Sequence, residues 1–309
     1  MGFTSGQIFW VKNKNQIFSV ISSVSPCLSG SKAVFRMTLL TRILLLSLLL
    51  APSVVTAEES SCPEHFAGGQ APSITNLKLS PQTRDVCYSG YAFKHSGLTR
   101  TPLYSAEHLT SARLLQAKGM RRHSTFFPDP NIPAAGRAEL SHYAHSGYDR
   151  GHVAPSADMP DQQSQQECFS LANMVPQVPE INRGVWEKVE KSVRKMAKER
   201  GDIYVVSGPL FMGNNIQLMG GAVMVPTHTF KAIYDPGRGE SGAYLVDNVP
   251  GAQPTFISIA ELEKLAGMNL FPSVAKTSKS VAMNAQGMKA GKPRTYAGRR
   301  GYANAKSTL

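Results

Sequence analysis

The 309-residue chain is long enough for one large domain or two small ones, and its 42% content of hydrophobic residues is ordinary for a globular protein. Its formal net charge of +12 is concentrated at the two ends, because residues 1–57 and 274–309 contain five and eight basic residues and no acidic residue. Residues 58–273 contain 20 basic and 21 acidic side chains, a net charge of −1. Because residues 58–273 are nearly neutral, they cannot attract a polyanion through their overall charge. Binding of a polyanion by this part of the chain therefore requires a local cluster of basic residues.

Residues 37–57 have the three parts of a secretory signal peptide: a basic start, an apolar core over 43–51 and small residues ending at Ala57. Cleavage after Ala57 predicts a secreted or periplasmic protein. The apolar core is far shorter than the roughly 20 residues that span a bilayer, so we expect no stable membrane span after cleavage. An uncleaved N-terminal anchor is the alternative. Residues 1–36 have no coherent pattern, which favours Met37 as the true start and an upstream extension before it.

Three cysteines follow the predicted cleavage point, and export to an oxidising compartment changes their interpretation. Cys62 and Cys87 flank a segment rich in proline and glycine, which a disulfide could tie to the first strand. The alternative is two buried free thiols. Cys168 is left unpaired and lies in a largely apolar stretch, so we expect it to be buried. No CxxC or Cys/His cluster indicates a zinc site.

The predicted elements begin after an irregular lead-in over 58–84. Two aromatic-rich segments, 85–97 and 100–110, are typical of strands separated by a polar turn. Residues 111–147 contain many turn formers and little periodicity.

A short strand or hairpin arm is predicted at "DRGHVAPS", and "DMPDQQSQQECF" permits a short helix near Pro160. The clearest helix covers 181–201, where Val185, Val189 and Val193 repeat every four residues. Gly201 follows a basic last turn and is a plausible stop for this helix. Further strands are predicted at 202–211, 222–235 and 241–250, a short helix at 258–267 and a disordered basic tail at 274–309.

A carboxylate, a guanidinium and an imidazole lie within four positions in Asp149-Arg150-Gly151-His152. Histidine is the natural general base near neutral pH. The chain contains no GxSxG, HExxH or P-loop motif, which argues against serine hydrolases, zinc proteases and P-loop enzymes. Asn182 opens the long helix and Glu190 lies on it. Amide and carboxylate oxygens suit a hard cation such as Mg²⁺, so this set fits hydrolysis of a phosphodiester.

The stretches "DRGH", "LANMVPQVPEINRGVWEKVE", "YVVSGPLF" and "VPTHTFK" resemble, in this order, the DNA/RNA non-specific endonuclease family over roughly residues 85–270. The resemblance implies an α+β fold of the ββα-metal (His-Me finger) type, with a central, mainly antiparallel sheet flanked by helices. The general base would lie on a hairpin and the metal ligand on the following helix. On this basis, residues 58–273 are expected to form the endonuclease domain.

The resemblance also implies site roles. It matches His152 with the general base, Asn182 with the direct protein ligand to Mg²⁺ and Glu190 with the acid that orders water around the metal. Other matched positions are expected near the site or on the phosphate: Asn173 as a supporting polar residue, and Arg150, Arg194 and the upstream Arg122 or Arg121 as basic residues.

Each of these residues also has a simpler structural interpretation. Asn182 could be a helix N-cap, and Glu190 with Arg194 could form an exposed pair one turn apart on the helix. Asp149 could hold the hairpin together through hydrogen bonds, and His228 is expected to be a structural histidine on a core strand.

The function predicted from the sequence is a secreted, Mg²⁺-dependent, sugar-non-specific endonuclease, with Mn²⁺ as an alternative ion, that leaves 5′-phosphate ends on DNA and RNA. The alternative is a catalytically silent nucleic-acid-binding or DNA-uptake protein. The sequence leaves open the preference between DNA and RNA, the biological role, homodimer formation and an inhibitor protein as a partner.

Overall fold

Seven antiparallel strands form the central sheet of the protein, whose computed structural model describes residues 61–122 and 125–284. The strands in chain order are β1 (Ser73–Ile74), β2 (Thr83–Cys87), β3 (Ala92–Ser96), β4 (Thr101–Thr110), β5 (Asp149–His152), β6 (Met174–Gln177), β7 (Asp202–Leu210), β8 (Leu218–Met219), β9 (Val223–Met224), β10 (His228–Asp235), β11 (Glu240–Asp247), β12 (Thr255–Ile257) and β13 (Met268–Asn269). The α-helices are α1 (Ser111–Gln116), α2 (Leu140–Tyr143), α3 (Gln162–Glu167), α4 (Glu187–Arg200), α5 (Ile259–Ala266) and α6 (Lys276–Ser280). The central sheet has the order β12-β11-β10-β7-β4-β3-β2.

Both faces of this sheet are buried, because alternate residues of each strand point to opposite sides. On β7, Val206 faces a core formed with the N-terminal segment and α5, whereas Val205 faces a second core formed with α4. The valine stripe predicted for the long helix meets this second core at Val189 and Val193. The strands therefore provide a rigid floor under α4.

The hairpin and helix that carry the site lie together on this floor. Strand β5 pairs antiparallel with β6, so that His152 lies opposite Met174 and Gly151 opposite Val175. A Cβ at Gly151 would lie 2.8 Å from the Cβ of Gln177, so this position requires glycine. A π-helical turn over Ile181–Trp186 leads into α4. The predicted ββα arrangement is confirmed, as is the predicted α+β fold.

Gly201 ends α4 as expected, with φ of 86° and its N–H bonded to the carbonyl of Ala197. The predicted late helix is α5, whose Ser258 and Glu261 form a reciprocal capping box. The predicted strand over 85–97 is wrong in one respect: it is two strands, β2 and β3, joined at a turn where the Tyr88 N–H donates to the Tyr91 carbonyl.

The boundary predicted at residue 273 is too early. Helix α6 follows it, and Lys279 is buried with its ammonium group bonded to Glu263 and Asn269. Met283 also packs in the core beneath α4. These contacts are made by residues distant in sequence, which explains why local composition suggests a tail. The rest of the predicted tail, the signal peptide and Met37 lie outside the described residues.

A disulfide joins Cys62 to Cys87, as the sequence suggests, and Cys168 is a buried free thiol. The disulfide ties the N-terminal segment to β2 at the edge of the central sheet. Within 61–122 and 125–284, no helix has the length and apolar character needed to cross a membrane.

Candidate active site

An open cleft of about 360 Å³ lies between the β5 hairpin and the start of α4. His152, Asn182 and Glu190 all line it, so the side chains predicted from separate segments of the sequence converge on one site. Basic, acidic and small residues complete the lining: Arg122, Arg150, Pro155, Ser156, Ala157, Arg183, Glu187 and Arg194.

His152 occupies the apolar part of the cleft. Its imidazole is only 9% exposed and contacts the rings of Phe126 and Phe169, with ring centroids 5.8 and 4.8 Å away. The Nε2 atom is buried and has no hydrogen-bond partner among the described residues. Burial, reinforced by the nearby Arg122 guanidinium, lowers the pKa of His152 to about 3. The imidazole is therefore neutral, which is the state that a general base requires.

Asn182 is oriented by Asp149, the first residue of β5. The Asn182 amide nitrogen donates to the Asp149 carboxylate at 2.9 Å, and Arg183 donates to the same carboxylate through Nε at 2.7 Å. Although partial burial acts in the opposite direction, the hydrogen bonds from Arg183 and Asn182 hold the pKa of Asp149 below its ordinary value. With its nitrogen committed to Asp149, Asn182 has its amide oxygen available to face a cation.

Glu190 lies one turn before Arg194 on α4, on the side that faces the cleft. The Arg194 guanidinium donates to Asp158 at 2.9 Å and is 4.0 Å from the Glu190 carboxylate. Burial raises the pKa of Glu190 to about 7, against the opposing charges of Lys231 and Arg194. The predicted role of Arg194 on the phosphate fits less well, because its direct hydrogen bond is committed to a buried carboxylate.

Of the arginines that line the cleft, two have no carboxylate bonded to them among the described residues. The Arg150 guanidinium lies over the rings of Phe126 and Tyr143, with its carbon 4.9 and 5.6 Å from their centroids. Arg122 lies over Phe169 at 5.5 Å. Aromatic faces attract and hold guanidinium groups without neutralising them. Their charge is available to an anion in the cleft.

Asn173, predicted as a supporting polar residue near the site, lies beside the cleft and does not line it. It is fully buried, and its amide nitrogen donates to the carbonyls of Ala154 and Cys168. Its oxygen accepts from the Ala154 N–H and the Ser105 hydroxyl. Asn173 therefore fixes the chain immediately after His152 and contributes no group to the site.

The donors in the cleft fit one divalent cation held largely by water. The residues in 61–122 and 125–284 include no group of three or more His, Cys, Asp or Glu side chains that could hold a metal ion. The Asn182 amide oxygen and the nearby Glu190 carboxylate are both hard oxygen donors, which suit an ion that keeps several waters, as Mg²⁺ does. A site for a soft or fully coordinated metal does not fit this set.

Several residues of the site are absent from the sequence prediction. Arg183 and Glu187 line the cleft, and Phe126 and Phe169 enclose the general base. The position of Arg183, directly after Asn182, is the one signal that could have identified it. His228, by contrast, is structural as predicted: it is buried on β10, with Nε2 3.2 Å from Asp247.

Comparison with known proteins places these observations among nucleases. The sequence model of the family described as DNA/RNA non-specific endonuclease matches residues 71–277. The chain is 35% identical over 214 residues to a protein named Nuclease EXOG, mitochondrial, from Danio rerio, covering 62% of each chain. It is 31% identical over 238 residues to a protein named Nuclease from Nostoc sp., covering 72% of this chain and 85% of the relative.

Among solved structures, a chain from the crystal structure of the EndoG/EndoGI complex matches with a TM-score of 0.59 and 26% identity. The match covers 67% of this chain and 92% of that chain. The chain spans about six tenths of the length of the first curated relatives it matches, with 62% and 58% coverage of the Danio rerio and Homo sapiens proteins.

Proposed function

Because this chain belongs to the DNA/RNA non-specific endonuclease family, we propose that it is a secreted or periplasmic, Mg²⁺-dependent endonuclease that hydrolyses DNA and RNA to products with 5′-phosphates. The observation that carries the proposal is the convergence of His152 and Asn182 on one open cleft. The two residues are 30 positions apart in sequence and come from different elements. A neutral base and an oxygen donor facing the same space are the minimum set for hydrolysis of a phosphodiester aided by one metal ion.

In this proposal the neutral imidazole of His152 accepts a proton from the water that attacks phosphorus. The bond from phosphorus to the 3′ oxygen breaks, the 3′ oxygen takes a proton from water in the open cleft to become a hydroxyl, and the phosphate stays on the 5′ side. The Asn182 amide oxygen would hold the cation and the Glu190 carboxylate would order the water around it; such a cation would offset the negative charge that develops in the reaction. Arg150 adds charge-assisted hydrogen bonds to the phosphoryl oxygens.

Weak sequence preference follows from the composition of the cleft. Its cations, which include Arg122, Arg150 and Arg183, suit the sugar–phosphate backbone that all nucleic acids share. We therefore propose cleavage of both DNA and RNA, with affinity that falls as the salt concentration rises.

Export is supported by the Cys62–Cys87 disulfide, since such bonds persist in oxidising compartments. The predicted signal peptide before Glu58 points to the same location. As partners beyond nucleic acids we propose a second copy of the chain and an inhibitor protein, the latter because the similar solved chain is EndoG bound to EndoGI.

A plasmid-nicking assay with and without EDTA tests the proposal, with an RNA substrate in parallel and chemical analysis of the product ends. We expect the wild type to cleave both substrates only with added Mg²⁺ and to leave 5′-phosphates. His152→Ala should abolish cleavage while retaining binding, and Asn182→Ala should cause a large loss of activity and weaken the response to Mg²⁺.

His145→Asn is the matched control, because His145 is an exposed histidine that does not line the cleft. Full activity of His152→Ala would exclude it as the base, and unchanged Mg²⁺ dependence of Asn182→Ala would exclude it as the ligand. Binding without cleavage by the wild type would instead favour the catalytically silent nucleic-acid-binding protein.

A further inference from the structure

A buried aspartate lies three residues after Phe126, outside the motifs that identify the site. Asp129 is 0% exposed, and its carboxylate accepts three hydrogen bonds. Its Oδ2 atom accepts from the Ser170 hydroxyl and, at 2.8 Å, from the Tyr88 hydroxyl, while Oδ1 accepts from the Asn131 N–H at 2.8 Å. A carboxylate is costly to bury unless its oxygens are bonded in this way. The two hydroxyl bonds each join segments 41 positions apart in the chain.

Asp129 ties together two segments of backbone, 125–127 and 169–171, that run side by side. The Phe127 N–H donates to the Phe169 carbonyl at 3.4 Å, and the Leu171 N–H donates to the Phe127 carbonyl at 2.8 Å. Phe127 and Ser170 form an isolated parallel bridge. Because this bridge is a single pair, it holds the segments together only weakly. The bond from the Ser170 hydroxyl to Asp129 adds a side-chain tie between the same two parts of the chain.

Each of these segments carries one of the phenyl rings that contact the general base. Phe169 is 1% exposed and packs in a core, so its place does not depend on the tie alone. Phe126 is only half-buried. Its ring centroid is 5.8 Å from that of His152, 4.9 Å from that of Phe169 and 4.9 Å from the Arg150 guanidinium carbon. One ring thus packs against both the base and a cation of the cleft.

We infer that Asp129 is a positioning residue that acts through Phe126. The tie between the two segments keeps the Phe126 ring against the imidazole of His152 and the guanidinium of Arg150. A displaced ring would let the imidazole rotate and would remove one of the two aromatic faces that hold the guanidinium. Small misplacements of this kind cost large factors in rate. This role rests on the proposed function, in which His152 is the base and Arg150 binds the phosphate.

The two hydroxyls bonded to Asp129 offer a matched pair of variants. The Ser170 hydroxyl donates to Oδ2 and accepts from the Ala172 N–H at 3.1 Å. The Tyr88 hydroxyl donates to the same oxygen and accepts from the Asn131 amide nitrogen at 3.2 Å. Ser170→Ala and Tyr88→Phe therefore remove equivalent sets of hydrogen bonds, but only Ser170→Ala breaks the tie between the two segments.

Steady-state kinetics compares both variants with the wild type, and thermal unfolding allows kcat to be expressed per folded molecule. We expect Ser170→Ala to lose about 10- to 100-fold in kcat/KM, with a lower kcat from the loosened base and a higher KM from the loosened arginine. Tyr88→Phe, the control, should stay close to the wild type. A merely structural role would lower both melting temperatures and leave both rates per folded molecule unchanged. That result, or an equal loss of activity in the two variants, would overturn the inference.

Phe126→Leu removes the ring through which the tie is inferred to act. In this background Ser170→Ala should cost no more than about threefold in kcat/KM. A loss of full size in the Phe126→Leu background would contradict the inference. If Ser170→Ala does not fold, Ser170→Cys replaces it with the same outcomes, because a thiol of similar size donates only weakly.

NMR spectroscopy of protein with labelled histidines gives a second readout that requires no turnover. The neighbouring phenyl rings should displace the ring-proton signals of His152 from those of the exposed His145. We expect Ser170→Ala and Phe126→Leu to move the His152 signals towards the His145 position, and Tyr88→Phe to leave them in place. Unchanged His152 signals in Ser170→Ala would overturn the inference. If the wild type cleaves no nucleic acid, the proposed function fails, while these spectra still decide whether the tie positions the ring.

Discussion

Asp149→Asn removes the negative charge that holds the metal-binding amide in place and leaves the volume of the side chain unchanged. In the wild type, one carboxylate oxygen accepts from Asn182 at 2.9 Å and from Arg183 at 2.7 Å, and the other accepts from Arg183 at 2.5 Å. Asparagine is neutral and would place an N–H donor where the second oxygen meets the Arg183 guanidinium, so the guanidinium repels it and the bond to Asn182 loses its charge assistance. The substitution should therefore release Asn182 to rotate its amide.

The expected size of the effect follows from the bond that is lost. A hydrogen bond to a charged group contributes about 1.5–3 kcal/mol. Since about 1.4 kcal/mol corresponds to a tenfold change in rate, we expect a 10- to 100-fold loss of kcat. The Mg²⁺ concentration for half-maximal activity should rise as well, because the amide oxygen no longer points steadily at the cation.

Steady-state kinetics on plasmid DNA across a Mg²⁺ series measures both quantities. The control is Arg183→Gln, which removes the other partner of Asp149 and leaves its bond to Asn182 intact. Arg183 is 72% exposed and lines the cleft, so its loss should raise KM and spare kcat and the response to Mg²⁺. If Arg183→Gln reproduces the Asp149→Asn pattern, or if Asp149→Asn leaves the Mg²⁺ response unchanged, Asp149 does not act through Asn182.

Three further predictions concern stability and binding. Burial places the pKa of folded His152 at about 3, below its unfolded value of about 6.5. As the pH falls, the unfolded state therefore takes up the proton first. The stability that the neutral imidazole contributes is complete above pH 6.5 and is lost as the pH falls towards 3. Between pH 7 and pH 4, urea unfolding should show the wild type losing about 3 kcal/mol more than His152→Gln, and equal losses would refute the burial of a neutral imidazole. Replacing Cys62 and Cys87 by alanine opens a loop with a sequence separation of 25 and should cost about 3.5 kcal/mol in denaturant unfolding; an unchanged midpoint would mean that the bridge does not form in solution. Replacing the cleft arginines Arg122 and Arg150 by glutamine in the inactive His152→Ala protein should reduce the slope of log binding constant against log salt by about 2, and an unchanged slope would place the nucleic acid elsewhere.

The sequence signals for the three residues that converge in the cleft, His152, Asn182 and Glu190, are local. His152 lies in a four-residue motif. Asn182 opens a helix, and the periodicity of that helix predicts which of its sides carries Glu190. The antiparallel sheet flanked by helices follows from the family resemblance and not from the order of the predicted elements.

What the sequence does not reveal depends on contacts across the fold. The commitment of Arg194 to Asp158 joins two segments 36 positions apart, and no local pattern indicates it. Lys279 is basic within a basic stretch, yet Glu263 and Asn269 make it part of the core. Asn173 has the polar character of a site residue, and only its four buried hydrogen bonds show that it braces the chain instead.

The two halves of the cleft need opposite environments, and the fold separates them. His152 must stay neutral to accept a proton, which Phe126 and Phe169 ensure by excluding water. Glu190 must stay charged to face a cation, which a low dielectric alone would prevent. If the carboxylate stood beside the imidazole, its negative charge would favour the protonated ring and disable the base. Placing the base on the hairpin and the acid on the facing helix, with Arg194 4.0 Å from its carboxylate, allows both states to exist at one pH within a single cleft.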